Sequence, residues 1–68
     1  MSAPVVFAAL AGASGGTVMV NPFHVAALCS TIQETVNVFL VGGKLIEVDG
    51  PLPEVLGALH EAADEVAE

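Results

Sequence analysis

Basic residues are almost absent from this chain of 68 residues. It has one Lys or Arg against eight Asp or Glu, and a formal net charge of −7 at pH 7. Proteins that bind nucleic acids neutralise phosphates with Lys and Arg, and anionic membrane surfaces attract basic segments in the same way. Only Lys44 is available here. We therefore expect no nucleic acid and no membrane among the partners, whereas a basic protein is compatible with this charge.

Cysteine is also scarce. Cys29 is the only one, so no intrachain disulfide forms, and a reducing compartment, the cytoplasm, is expected. Cys29 lies in an uncharged apolar stretch, which favours a buried, unreactive side chain over a nucleophile.

A long uninterrupted apolar run is missing too. Residues 1–33 contain no Asp, Glu, Lys or Arg, but the longest apolar segment, Ala3–Ala13, is already interrupted by Pro4 and Gly12. A membrane-spanning helix needs about 18 or more consecutive apolar residues. A secretory signal would need a basic segment, and none precedes Lys44. These absences predict a cytoplasmic protein.

Groupings of residues that support chemistry are lacking as well. His24, Cys29 and His60 do not have the spacing of a zinc site. The loop 12–16 is rich in glycine but lacks the lysine of a phosphate-binding P-loop, although its amides could cradle an anion. We therefore expect a protein that is not an enzyme and that has no catalytic residues, no metal site and no cofactor.

What is present is a large apolar fraction, 54% of the residues. The length predicts a single domain, residues 1–68, with a β-rich body (3–49) and a C-terminal helix (51–67). A domain this small buries only about 60% of the surface of its unfolded chain and is marginally stable alone. The composition therefore predicts self-association or binding to a partner.

The first half of the chain is typical of strands. Pro4–Leu10 and Thr17–Val20 are predicted strands, and Asn21 and Pro22 end the second one, because proline cannot donate to a β-ladder. A short turn follows at Pro22–His24. Val25–Ile32 fits either a strand or a helix; we favour a strand because a hairpin follows directly.

That hairpin, Val36–Val48, is the clearest signal, with two β-branched runs flanking a Gly pair. A three-residue loop, Val41–Gly43 with Gly43 left-handed, pairs Leu40 with Lys44. A two-residue loop would mix polar and apolar residues on both faces, so the three-residue register is preferred. One face then holds Val36, Val38, Leu40, Ile46 and Val48, and the other holds Asn37, Phe39, Leu45 and Glu47.

From Pro51 onward the apolar period becomes helical. The predicted apolar stripe consists of Val55, Leu56, Leu59, Ala62, Ala63 and Val66. Together these elements predict an α+β fold: one small antiparallel sheet of four or five strands, with one C-terminal amphipathic helix packed on one face.

The order of these elements resembles the small flagellar and swarming-motility family called FlbD-like. The similar segment covers about residues 17–62, and its most specific parts are Val20-Asn21, the hairpin Gly42-Gly43-Lys44, and Glu54-Val55. The resemblance implies a strand, an Asn-headed turn, further strands joined by a hairpin, and a C-terminal helix. Gly42 stands where the family usually has the turn asparagine.

Three surfaces are candidate sites. Phe39 and Leu45, with Val41 nearby, lie on the face away from the helix and predict an oligomer interface; alternatively, the first two strands cover that face within the chain. Asn21, Phe23 and His24 combine polar, aromatic and titratable groups and could form a ligand pocket, or serve only as a turn. An acidic helix face is expected to dock a basic partner or simply to be solvated; its residues are Glu61, Asp64 and Glu65.

The leading hypothesis is a small non-enzymatic, homo-oligomeric interaction or assembly protein of bacterial or phage origin. The alternative is an oligomeric small-molecule-binding or sequestering protein with pockets between subunits. A third hypothesis is an acidic inhibitor that docks on a basic protein. The expected partner is therefore another copy of the chain, with a different protein or a small molecule as the alternatives.

Overall fold

The computed structural model describes the backbone of residues 5–67 and the side chains of residues 5–65. It has an α+β fold with five strands, a single turn of 3-10 helix and one α-helix. In chain order the elements are β1 (Ala8–Ala11), β2 (Thr17–Val20), the 3-10 helix (Pro22–His24), β3 (Val25–Ser30), β4 (Thr35–Leu40), β5 (Leu45–Asp49) and α1 (Leu52–Ala67).

The predicted hairpin register is confirmed in β4 and β5. Val38 pairs with Ile46, and Phe39 pairs with Leu45. The loop is closed by the Leu40 N–H, which donates to the Lys44 carbonyl at 2.8 Å. Gly42 and Gly43 both have positive φ, 99° and 95°. Residues that carry a Cβ rarely adopt such angles. The glycine pair therefore makes the three-residue loop possible, and the loop sets the faces of both strands.

Residues 25–30 form a strand, so the favoured interpretation is confirmed and the helical alternative is wrong. β3 pairs antiparallel with β4, with Leu28 opposite Val38 and a bulge between Val25 and Ala27. The turn between these strands is organised by the Thr31 hydroxyl, which accepts from the Thr35 N–H at 3.2 Å. Neighbouring strands thus override the helical tendency of an Ala- and Leu-containing segment.

The prediction of a single sheet is wrong. β1 and β2 form a two-stranded sheet, and β3, β4 and β5 form a three-stranded one. β1 also begins at Ala8, later than predicted, and Pro4 lies outside the described residues.

The backbones of the two sheets are paired beyond the end of β1. Gly12 forms an isolated bridge with Val48, and the Ala13 N–H donates to the Glu47 carbonyl at 3.2 Å. Gly12 is buried there, and a Cβ on it would stand 2.9 Å from the Gly15 carbonyl oxygen. This tight glycine contact pairs the backbones of the two sheets, and their apolar side chains also meet in a common core.

A single core joins both sheets and the helix, and Val36, Val38 and Val48 are fully buried in it. The other buried members are Ala8, Leu10, Val20, Val55, Leu59 and Ala62. The β1–β2 hairpin and α1 therefore cover the same face of the three-stranded sheet. The alternative in which the first two strands cover the Phe39 face is consequently wrong.

The helix buries Val55, Leu59 and Ala62 as predicted, but Leu56 is 41% exposed. Successive helical residues are rotated by about 100°, which places Leu56 at the margin of the buried face. Leu52 and Ala58 pack against the core instead. The side chain of Val66, the last predicted member of the stripe, lies outside the described residues. Across the part of the chain that the structure covers, no helix has the length and apolar character needed to cross a membrane.

Candidate functional site: the outer face of the three-stranded sheet

The three-stranded sheet has one covered and one uncovered face. Because side chains alternate along a strand, the neighbours of the buried valines project away from the core. We call the surface they form the outer face; it comprises Ala27, Cys29, Thr35, Asn37, Phe39, Leu45, Glu47 and Asp49.

One half of the outer face is apolar. Phe39 lies in the central strand, directly between Ala27 of β3 and Leu45 of β5. Phe39 is 39% exposed and Leu45 is 52% exposed. The predicted cross-strand pairing of these two residues is therefore confirmed, and so is their position on the face away from the core.

Val41 extends this apolar half onto the loop between β4 and β5, and it is 71% exposed. Its backbone is held in place, because the Val41 N–H donates to the His24 carbonyl at 2.7 Å. The three residues proposed for an interface thus occupy the same end of the sheet, with the loop tied to the 3-10 helix.

The other half of the outer face is polar and ordered by hydrogen bonds. The Thr35 hydroxyl donates to a Glu47 carboxylate oxygen at 2.6 Å, and the Thr31 and Thr35 hydroxyls are 2.7 Å apart. Since the Thr35 proton goes to Glu47, Thr31 is the donor in the second contact. This chain of hydroxyls orients the Glu47 carboxylate.

Cys29 lies on the outer face and is exposed, so the expectation of a buried thiol is wrong. It pairs with Asn37 of β4 and thus takes the same side of the sheet as Phe39. An apolar sequence context did not imply burial, because strand alternation places every second residue of β3 outside the core.

The turn proposed as a ligand pocket has a structural role in this chain. Asn21 caps the 3-10 helix, and its side-chain oxygen accepts from the Phe23 N–H at 2.9 Å. Phe23 and His24 are both exposed, Phe23 by 60%. The Asn21 oxygen is therefore already used within the turn, and a ligand pocket formed by these residues stays a prediction.

The acidic helix residues border a depression that sequence reasoning missed. Glu61, Asp64 and Glu65 line it together with Ala62 and the ring of Phe7, which is 51% exposed. Phe7 precedes β1 and lies far from α1 in sequence, so no local pattern could have placed it beside the helix. An exposed aromatic ring and carboxylates in one depression suit a side chain that is both basic and apolar.

A second depression lies between β1 and the start of α1, and its lining includes Ala9, Asp49, Glu54 and Ala58. Within residues 5–65, no three His, Cys, Asp or Glu side chains approach each other in the manner of a metal site.

No family model, no curated protein and no solved structure matches this chain. The resemblance to the FlbD-like family thus stays a prediction. The functional argument rests on the chain's own surfaces, of which the outer face places two exposed apolar side chains, Phe39 and Leu45, in one cross-strand pair.

Proposed function

We propose that this chain is a small non-enzymatic interaction or assembly protein that forms homo-oligomers through the apolar half of its outer face. The observation on which this proposal depends is the Phe39–Leu45 pair, which neither the helix nor the first hairpin covers. The proposal includes a bacterial or phage origin and a cytoplasmic location.

The energetics favour burial of this surface against a second copy. Fully burying an apolar side chain such as Phe, Leu or Val contributes about 1.5–3 kcal/mol of stabilising free energy. Phe39, Leu45 and Val41 are partly exposed in the monomer, so burying the rest of their surface in an interface would stabilise the oligomer. A standard interface covers about 800 Å² per partner, which is roughly a sixth of the 4632 Å² accessible surface. An interface of that size would extend beyond Phe39, Leu45 and Val41 onto neighbouring surface, because these three side chains are only partly exposed.

The scarcity of charge in the apolar half supports self-association. Ala27, Phe39 and Leu45 are the paired residues there, whereas Glu47 and Asp49 lie toward the other end of the sheet. Two copies can therefore bring their apolar halves together without opposing these carboxylates, which matters for a chain with a charge of −7.

The experiment compares one substitution at two exposed leucines. Leu45→Glu adds a charge to the outer face, and Leu56→Glu adds the same charge to the helix, where Leu56 has similar exposure. Native mass spectrometry and light scattering give the oligomeric state, and circular dichroism verifies folding.

We expect wild type and Leu56→Glu to be oligomers of the same size and Leu45→Glu to form a smaller species, because it loses the contact through the outer face. A wild-type chain that stays monomeric at the highest soluble concentration would contradict self-association. Equal oligomers in all three proteins would assign the contact to another surface.

The depression around Phe7 favours one second candidate, docking of a basic partner protein. Neutralising Glu61, Asp64 and Glu65 to the amides should abolish salt-sensitive binding to a basic protein. The matched control neutralises Glu34, Glu47 and Asp49, which removes the same charge from elsewhere on the chain. An equal loss of binding in both triple variants would mean that binding responds to net charge and that the helix carries no specific docking site.

A further inference from the structure

The outer edge of β3 is not paired with another strand among the described residues, and the Ser30 carbonyl on that edge accepts only a long contact, 3.7 Å, from the Cys29 thiol. β3 is at the end of the three-stranded sheet, with β4 on one side only. In an antiparallel ladder, alternate residues direct their N–H and C=O groups toward the partner strand or away from it. The Thr31 N–H donates to the Thr35 carbonyl at 2.9 Å, so Thr31 faces β4. Cys29, two residues earlier, faces β4 as well, whereas Leu28 and Ser30 direct their backbone groups to the free edge.

The other edges are shorter or already occupied. At β5, the Glu47 carbonyl accepts from the Ala13 N–H, and Gly12 bridges Val48. β2 presents an edge of four residues, whereas β3 has six. β3 therefore offers the longest free edge within the described part of the chain.

The β3 edge also lacks the features that usually prevent pairing. Natural edge strands are protected by charged residues, prolines or bulges. The β3 sequence VAALCS has no charged residue and no proline. Its bulge lies between Val25 and Ala27, which leaves the segment from Leu28 to Ser30 regular.

The distribution of charge selects a second copy as the occupant of this edge. Every Asp and Glu of the chain is at position 34 or later, so two β3 strands can meet without opposing carboxylates. A basic partner would find no carboxylate within β3 itself. Self-pairing at β3 thus avoids the repulsion that a net charge of −7 imposes on other contacts between copies.

We propose that β3 pairs antiparallel with β3 of a second copy about a two-fold axis, which extends the sheet to six strands. The two-fold axis passes between Cys29 and Cys29 of the partner subunit. Leu28 then exchanges backbone hydrogen bonds with Ser30 of the partner subunit, and Ser30 with Leu28 of the partner subunit. This register uses both free-edge residues and keeps the bulge outside the ladder.

The inference rests on the proposed self-association and adds a second, distinct contact to it. Because Ala27, Cys29 and Phe39 share the outer face, edge pairing about this axis places the outer faces of both copies on the same side of the six-stranded sheet, with the two apolar halves displaced from each other along the strands. The contact through the outer face and the contact through the β3 edge involve different atoms, so each can be removed without the other.

The register makes Cys29 a reporter of the contact. Directly opposed residues in a pair without mutual hydrogen bonds have Cα atoms about 4.5 Å apart, and a disulfide needs roughly 4.4–6.8 Å. Ala27 faces the same side of β3 and is also exposed. In this register it lies about 13 Å along the strands from its own counterpart, which is too far for a disulfide.

The first test compares wild type with the double variant Cys29→Ser/Ala27→Cys, which moves the thiol by two residues along β3 and keeps it on the same face. Copper–phenanthroline in air serves as the oxidant, and it takes two electrons and two protons from each pair of thiols as the S–S bond forms. We expect the wild type to form a covalent dimer at least about tenfold faster than the moved thiol, because only its thiols are held together. Equal rates would overturn the proposed register and pairing.

A second test blocks the edge itself. Ser30→Pro removes an N–H that faces away from β4, a position where an edge strand tolerates proline, and Ser30→Ala keeps that N–H. We expect Ser30→Pro to lose the rapid Cys29 cross-link and Ser30→Ala to retain it. If both variants cross-link like the wild type, the edge contact is wrong; if Ser30→Pro does not fold, the comparison of Cys29 with Ala27 decides alone.

These outcomes separate the two proposals. If Leu45→Glu dissociates the oligomer while the edge tests fail, the outer face is the contact and the β3 inference is wrong. If the wild type is monomeric and does not cross-link, both proposals fail.

Discussion

Val38 and Phe39 are neighbours in β4, yet one is fully buried and the other is 39% exposed. Val38 faces a core formed by two sheets and a helix, whereas Phe39 is outside that core and is paired with Ala27 and Leu45 on the other face of the sheet. Both side chains are apolar, so hydrophobicity alone does not separate the residues that stabilise the monomer from those available for association. The pleat of the strand separates them, because it assigns alternate residues to the covered and the uncovered face.

The difference in burial between Val38 and Phe39 is tested most strongly by placing the same charge at each position. Val38→Asp buries an unpaired carboxylate, and we expect it to destabilise the fold by more than about 4 kcal/mol and to abolish the cooperative unfolding transition. Phe39→Asp should cost less, about 1–2 kcal/mol, because the ring is only partly buried and water solvates the new carboxylate. Thermal unfolding followed by circular dichroism measures both, and similar losses would mean that the two faces are equally buried.

The covered side can also be probed without a charge, at the junction between β5 and α1. The Gly50 N–H donates to the Glu34 carbonyl at 2.8 Å, and a Cβ on Gly50 would stand 2.7 Å from that oxygen. We expect Gly50→Ala to lower the free energy of unfolding by about 1–3 kcal/mol, since backbone must move to relieve the overlap. Urea denaturation gives the value.

The matched control for Gly50 is the same change on the open side of the helix. Around Gly57, no atom outside its own helix backbone and chain neighbours lies within 4 Å of the added Cβ, among the residues described. We expect Gly57→Ala to raise the free energy of unfolding by about 0.5–1 kcal/mol, because alanine loses less backbone freedom in a helix. A decrease in that free energy for Gly57→Ala would mean that the helix is more tightly enclosed at this position.

The smallest effect is expected in the polar half of the outer face. Thr35→Val removes the hydroxyl that donates to Glu47 and accepts from Thr31. Because the Thr35–Glu47 contact is exposed and water replaces part of it, the loss should be about 0.5–1 kcal/mol. Thr17→Val, the same change at an exposed position of β2, should alter the urea midpoint less. Equal shifts would mean that the hydroxyl chain adds nothing to stability.

Local signals predicted the parts of the fold that depend on local geometry. The β4–β5 register follows from strand alternation and the Gly42–Gly43 pair, both of which can be read within about a dozen residues. Helix α1 follows from its apolar period, although Leu56 lies at the edge of the stripe and is exposed. The composition of β3 fits two states, and only its pairing with β4 selects the strand.

The candidate surfaces were predicted unevenly. Phe39 and Leu45 were placed on the uncovered face because register alone determines that position. Cys29 was expected to be buried, and its exposure follows from its position on the outer face, which the core does not cover. Phe7 was not singled out at all, since its position beside the acidic helix residues arises from packing between distant parts of the chain.

The sequence by itself determined four of the five strands, the hairpin register, the C-terminal helix and the acidic charge, because each depends on residues close together in the chain. Tertiary structure decided that the strands form two sheets and that the first hairpin joins the helix on one face. Only one face of the three-stranded sheet could be covered, since a short chain has too few elements to enclose both. The choice of face left Phe39, Leu45 and the edge of β3 exposed, and these surfaces now define how the protein is expected to associate.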